Sequence, residues 1–312
     1  MPAERKQLSI IIPVYNWDTG LLIKALTEEI RIAALAESVE ILIADDCSDN
    51  HFQVVNRDHV HGFAYVKYYE LGKNIGRAAI RNDLLSRARG TYILFLDADV
   101  VPDSPRFLRT YIQYMEKGTP VVCGGISYRQ RILEGRQYDF YLYKGTKTEW
   151  LPAGQRQLVP WRYFFSANVL LKADVLDEIS FDERFSGYGY EDIEWGIRLE
   201  EKHGILHIDN TCSHLGLVAK DAAFTRMRNS IDNFIRLKRR HPQVFAKAGI
   251  SSIATFLGYI PSGVLRILDA GLGRAFRFSI WPRLSYYCFQ MDKAVLFSLQ
   301  ERAEAERGSA DG

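Results

Sequence analysis

Hydrophobic positions in the first 125 residues follow two alternating rhythms. Short apolar runs, LSIIIPVY (Leu8 to Tyr15), VEILIADD (Val39 to Asp46), FAYVKYYEL (Phe63 to Leu71), TYILFLDAD (Thr91 to Asp99) and PVVCGG (Pro120 to Gly125), read as strands. Between them, apolar residues recur at helical spacing. Leu22, Leu26, Ile30 and Ala34 follow the capping residues Asp18 and Thr19; Ala79, Leu84, Leu85 and Ala88 line Gly76 to Arg89; a further helix opens at Asp103 or Ser104. Strand–helix alternation with continuous apolar strands predicts an α/β fold with a mostly parallel central sheet flanked by helices. Such sheets bind ligands beyond the carboxyl ends of their strands.

The pattern then loosens. Residues 127–159, rich in Tyr, Arg, Gly and Gln, read as loops and short elements near the site. Strand character returns over Trp161 to Asp174, followed by a short helix at Val175 to Ile179, a helix over Asp192 to His203 and a strand at Ile205 to Asn210. Val218 to Arg240 reads as one long charged helix. Residues 250–299 combine aromatic and aliphatic residues with Arg266, Arg274, Arg277, Arg283 and Lys293, against only Asp269 and Asp292. Apolar and basic residues at helical spacing fit an interfacial helix on an anionic membrane; the competing reading is a helical appendage packed on the domain or on a partner chain. The final AEAERGSADG is expected to be disordered.

Composition narrows this picture only a little. The 312 residues are 47% hydrophobic and 25% charged, ordinary for a folded chain, and a net charge of +2 gives no reason to expect nucleic acid as a partner. Four widely separated cysteines form no CxxC pair, so neither a zinc site nor a disulfide framework is expected, and a reducing compartment is. The start MPAERKQLSIIIPVY lacks the apolar core of a signal peptide and reads as cytoplasmic; no run reaches 18 uninterrupted apolar residues, so no transmembrane helix is expected.

Acidic residues sit at the predicted strand ends: Asp45 and Asp46 after the second, Asp97 and Asp99 after the fourth. Two such clusters on one rim repel unless a cation lies between them. In DAD, alternation points both carboxylates the same way, and carboxylate oxygens suit magnesium or manganese. DDCSDN either contacts a nucleobase or ribose or is an Asp/Ser/Asn turn. NIGRAAIRN places Arg77 and Arg81 at a helix start, which suits a diphosphate or a solvated basic face. His214 is either a metal ligand or a structural histidine. In FSGYGYEDIEWG, Glu191 and Asp192 open a helix behind a glycine-aromatic loop, as caps or as a catalytic carboxylate.

Together, IIPVYN, DDCSD, NIGRAAIRN, YILFLDAD and GYGYEDIEW resemble, in order and spacing, the family 2 glycosyltransferases of GT-A fold. The likeness covers roughly residues 8–216, and its carboxyl half resembles β-1,4-galactosyltransferases, polypeptide N-acetylgalactosaminyltransferases and chondroitin polymerases. It implies a glycosyltransferase domain over 1–217, with a nucleotide-binding half (1–125) and an acceptor half (126–217), and a helical C-terminal extension over 218–312. Pro13, Tyr15 and Asp46 would hold the nucleobase, Arg81 would lie near the base or diphosphate, and Asp97 would touch ribose or metal. Asp99 and His214 would bind Mn2+ or Mg2+. Asp192 would be the general base and Glu191 would orient the acceptor or loop, with Tyr188 and Trp195 stacking on sugar. Tyr190 departs from the Gly-Gly or Gly-His that often precedes the acidic pair in the family. The implied activity is inverting transfer of a hexose or N-acetylhexosamine from a UDP-sugar to a glycan or lipid-linked glycan acceptor; the start of the chain and the basic stretch 250–299 place it in the cytoplasm, with the inner face of the cytoplasmic membrane as the location if that stretch binds lipid. The alternatives are a retaining transferase of the same fold and a non-catalytic nucleotide-sugar or glycan-binding module. A nucleotidyltransferase would want a lysine-bearing phosphate loop after the first strand, and a dinucleotide enzyme a GxGxxG there; PVYNWDTG has neither.

Overall fold

The computed structural model describes residues 6–185, 187–246, 253 and 256–310. The chain forms two compact units, one comprising residues 1–133, 146–186 and 191–216, the other residues 134–145, 187–190 and 217–312.

The first unit is built on a seven-stranded sheet of order β3-β2-β1-β4-β8-β6-β9. Its strands are β1 (Lys6–Val14), β2 (Val39–Asp45), β3 (Val66–Glu70), β4 (Gly90–Leu96), β6 (Val121–Cys123), β8 (Asn168–Lys172) and β9 (Leu206–His207). All neighbours run parallel except β8, which is antiparallel to both β4 and β6. A smaller sheet orders β5 (Val100–Pro102), β10 (Cys212–His214) and β7 (Ile126–Ser127). Period-two alternation sorts the side chains to two faces. Ile10, Ile12, Ile41, Ile43, Leu94 and Leu96 pack in one core layer with Leu22 and Leu26 of α1 (Gly20–Ile32). Ile11, Leu42, Ala44, Ile93 and Phe95 pack in the other with Ile80 and Leu84 of α3 (Arg77–Arg87). With α2 (Asn50–Val60) and α4 (Phe107–Glu116), both faces are covered, as expected for an α/β fold with a mostly parallel central sheet.

At the amino ends of the central strands, polar groups form a buried stitch. Ser9 Oγ donates to Glu40 Oε1 at 2.7 Å, the Arg89 guanidinium donates to Glu40 Oε2 at 2.7 Å, and Gly90 N–H donates to Ser9 Oγ at 2.8 Å. Burial alone would raise the Glu40 pKa, but these donors hold it below the ordinary value.

Several elements differ from expectation. β1 begins two residues before its apolar segment, whereas β2, β3, β4 and β6 are shorter than theirs, because ladder pairing ends before apolarity does. Thr19 does not cap α1; its N–H and Oγ1 both donate to Asn56 Oδ1, while Asp18 Oδ1 accepts from Gly20 N–H. Residues 127–159 contain a ten-residue helix, α5 (Asp139–Thr148), and a short one, α6 (Ala153–Arg156); α7 (Ala173–Glu178) and α8 (Glu191–His203) follow.

In the second unit the long charged helix is two, α9 (Lys220–Asn229) and α10 (Ile231–Arg240), broken at Ser230, whose hydroxyl donates to Met227 O. A short α11 (Pro242–Ala246) follows. Beyond it lie helices Ser262–Phe278 and Pro282–Ala310. The second of these carries helix through most of the tail expected to be disordered; Asp311 and Gly312 lie outside the described residues, as do residues 250–252, 254 and 255 of the basic stretch.

Candidate active site

The site forms where β1, β2 and β4 end. Asn16 and Cys47 adopt left-handed conformations (φ 49° and 63°), turning the chain out of β1 and β2. The two turns are tied together: Asn16 N–H donates to Ser48 Oγ and Asp49 N–H donates to Asn16 Oδ1. This leaves Pro13 half-buried and Tyr15 56% exposed beside the rim.

The acidic clusters are mostly satisfied by the protein itself. Asp45 accepts from Ser48 N–H and Tyr68 Oη, and is fully buried. Asp46 accepts from Ile75 N–H (2.7 Å) and Gly76 N–H (3.0 Å), so its carboxylate secures the loop that starts α3. Arg81 is not open to a diphosphate. It is 2% exposed and its Nη2 donates to Asp97 Oδ1 at 2.6 Å, fixing that carboxylate. Among these three acids, Asp45 and Asp46 are held by N–H and O–H donors and Asp97 by the Arg81 guanidinium.

Asp99 is different. It precedes β5, and pairing of β5 with β10 sets His214 opposite Val100. Leu215 N–H donates to Asp99 O at 2.8 Å, and His214 Nε2 stands 3.1 Å from Asp99 Oδ2. Burial would raise the pKa of Asp99 and lower that of His214, but their mutual attraction outweighs both, lowering the acid and raising the imidazole. Gly216 closes this corner; a Cβ there would overlap the Asp99 carboxylate.

Glu191 and Asp192 open α8. Before them, Gly187, Gly189 and Tyr190 all have positive φ (79°, 88° and 74°). Glu191 Oε1 lies 3.7 Å from Arg77 Nη1, at the first turn of α3. Asp192 Oδ1 accepts from Ser166 Oγ at 2.7 Å, and Ser166 precedes β8, the strand inserted beside β4. Burial, then the charge of Glu191, push Asp192 up to about 6, against the opposing pull of Arg81. The antiparallel β8 thereby brings a fully buried serine to the acid that opens α8.

Two aromatic expectations fail or move. Trp195 does not face a sugar. It is fully buried among Phe95, Phe164 and Phe181, and its Nε1–H donates to Ile179 O. Trp195 lies one helical turn beyond Glu191 and Asp192 on the same face of α8, and at that level the face meets the core. Tyr188 belongs to the second unit, where the Arg226 guanidinium lies over its ring at 5.4 Å. Tyr190 likewise packs on Phe234, at 5.1 Å between centroids. Sequence reading missed Ser166; its one signal was a small polar residue just ahead of a strand.

No group of three or more His, Cys, Asp or Glu gathers to hold a metal among the described residues. Asp99 and His214 fit a divalent cation in a narrower sense. They offer one carboxylate oxygen and one imidazole nitrogen, a donor pair that substrate phosphates would complete.

The doubly covered sheet with an acidic carboxyl rim has clear relatives. Residues 9–175, just over half the chain, match the family described as glycosyl transferase family 2, and the protein belongs to it. Validoxylamine A glucosyltransferase of Streptomyces hygroscopicus subsp. limoneus is 29% identical over 224 residues, 64% of this chain and 48% of that one, so this chain spans about half the length of that relative. A mannosyltransferase from Pyrobaculum calidifontis, solved with GDP-Man and Mn2+, superposes with a TM-score of 0.58 at 13% identity, over 96% of this chain and 88% of its own. GalNAc-T7, solved with UDP, GalNAc and Mn2+, superposes at 0.50 and 13% identity, over 69% of this chain and 45% of its own. Among the described residues, no helix is long and apolar enough to cross a membrane.

Proposed function

We propose that the protein transfers a hexose or N-acetylhexosamine from a UDP-sugar to a glycan hydroxyl, with inversion at the anomeric carbon, in assembly of a surface polysaccharide or glycoconjugate on the cytoplasmic side. The observation that carries this reading is Asp192: a carboxylate held by Ser166, pushed up to about 6, on the same rim as the Asp99–His214 pair. A base poised near neutrality is what proton removal from an alcohol needs. Asp192 takes the proton of the acceptor hydroxyl, the oxygen bonds to the anomeric carbon, and the bond from that carbon to the diphosphate breaks. Glu191 keeps Asp192 basic through its charge and is itself steadied by Arg77. Arg77 and the amino end of α3 offer positive potential to the leaving diphosphate. Mn2+ or Mg2+ bound by Asp99 and His214 would neutralise charge on that leaving group. Pro13 and Tyr15 flank the nucleobase, and Asp46 shapes the loop beneath it.

Calorimetric titration with UDP, GDP and dTDP, each with manganese and with chelator, tests this. Manganese-dependent binding selective for UDP supports the donor assignment. Selectivity for GDP would replace the donor, and absence of nucleotide binding would sink the reading.

A further inference from the structure

The second unit carries an apolar surface of a different kind from the rim. Val264, Ile267 and Phe278 share one face of the helix Ser262–Phe278 and are exposed, Ile267 at 74% and Phe278 at 79%. Leu284, Tyr287 and Met291, spaced three and four apart on the next helix, are exposed as well. Between the helices, Ile280 and Trp281 are 82% and 66% exposed. The connection is a braced turn. Trp281 N–H donates to Ser279 Oγ at 3.2 Å, and the Lys220 ammonium donates to Ser279 O at 2.5 Å. The aromatic tip is therefore held out by hydrogen bonds, where collapse onto the unit would have hidden it.

Along residues 256–293 the exposed charge has one sign. Arg266, Arg274, Arg277 and Arg283 are exposed, and the only acids between residues 256 and 293 are Asp269 and Asp292. Both are turned to the same internal cation: Arg228 Nη1 lies 2.7 Å from Asp269 and 3.0 Å from Asp292. Lys293 is likewise spent inward, over the rings of Tyr190 and Phe234. The outward charge of this stretch is left cationic, interleaved with aromatic and aliphatic side chains. A protein partner would have to desolvate four arginines against matched acids. A bilayer of anionic lipid accepts cations at its phosphates and apolar side chains below them, and tryptophan is at home at that boundary.

We propose that the second unit docks on a membrane surface rich in anionic phospholipid, with Phe278, Ile280 and Trp281 entering the headgroup boundary and Arg274, Arg277 and Arg283 meeting the phosphates. The unit lies on the bilayer and does not cross it. This inference rests on exposure and charge, and it stands whether or not the sugar chemistry above is correct.

The test is co-sedimentation of the full chain with vesicles of phosphatidylcholine alone and of phosphatidylcholine mixed with phosphatidylglycerol. Binding to the mixed vesicles only, weakened by raised salt, is expected. The variant R274A/R277A/R283A is expected to lower that partition on the order of 100-fold, at roughly fivefold per removed charge. The variant F278S/I280S/W281S is expected to lose binding while keeping the circular dichroism of the parent. Quenching of tryptophan emission by brominated lipid, lost in the second variant, would place the tip in the bilayer. Equal partition of parent and both variants overturns the proposal. So does a dimer, seen by light scattering, that the serine variant abolishes without any change in vesicle binding, since a second copy would then be the occupant.

Discussion

Asp192, the proposed base, owes its raised pKa to its surroundings. Its pKa of about 6 comes from burial and from Glu191, and is restrained by Arg81 and by the Ser166 hydroxyl. A base must be deprotonated to act, so under this proposal kcat/KM should rise with pH through about 6 and then level. Glu191→Gln removes a negative charge and should move that limb to lower pH; Ser166→Ala removes a hydrogen bond to the carboxylate and should move it higher. A pH–rate profile that ignores both substitutions would remove Asp192 as the titrating base. Asp192→Asn should cut transfer by about 10²–10⁴-fold while nucleotide affinity, measured by calorimetry, stays at the parent value. Trp195→Ala should act differently, costing about 3–5 kcal/mol in chemical denaturation because it empties a packed aromatic site and touches no ligand. The Trp195 role was misread because a tryptophan beside an acidic pair invites a sugar. Its i, i+4 partner Leu199, also buried, was the better signal that this face of α8 looks inward. The sequence could place Arg81 near phosphates, but only coordinates reveal that Asp97, sixteen residues on, already holds it.

At the scale of elements, alternation of apolar runs was enough to read the parallel sheet, since strands buried on both faces leave little ambiguity. It was not enough for β8, whose antiparallel insertion depends on long-range pairing with β4, nor for α5, whose mixture of Tyr, Gly and Lys lacks a clean apolar stripe. The break at Ser230 was hidden for the opposite reason: the helical pattern runs straight through it, and only the serine hydroxyl bonding back to Met227 O marks the end of α9. The β5–β10 ladder matters most to the site, because two short strands from distant parts of the chain bring Asp99 to His214. Gly216→Ala tests that corner. Its methyl would displace the Asp99 carboxylate, so manganese-dependent nucleotide binding should fall about tenfold or more while the melting temperature changes by only a few degrees. Unchanged metal dependence in that variant would mean Asp99 tolerates the shift and does not hold the cation.

Over the whole molecule, the two units carry separate sensitivities. Asp292, fully buried beside Asp269 and Arg228, is raised from 3.8 to about 7, chiefly by burial. A raised carboxylate favours folding where it is protonated, so its contribution is complete below about pH 4 and is lost as pH rises through about 7. Asp292→Asn keeps a neutral side chain at every pH. The parent should therefore lose up to roughly 4 kcal/mol relative to this variant between those limits, read as diverging melting curves. Parallel curves would show that Asp292 is charged throughout. In the first unit, the buried contacts of Ser9, Glu40 and Arg89 secure the sheet at one end of its strands, while Asp97, Asp99 and the residues around them occupy the other. Folding and chemistry thus have different addresses along the same strands. A library randomised at the carboxyl rim should yield many folded proteins with altered or absent activity, whereas one randomised at Ser9, Glu40 and Arg89 should yield few that fold. Such a scaffold is free to change its product without having to relearn its shape.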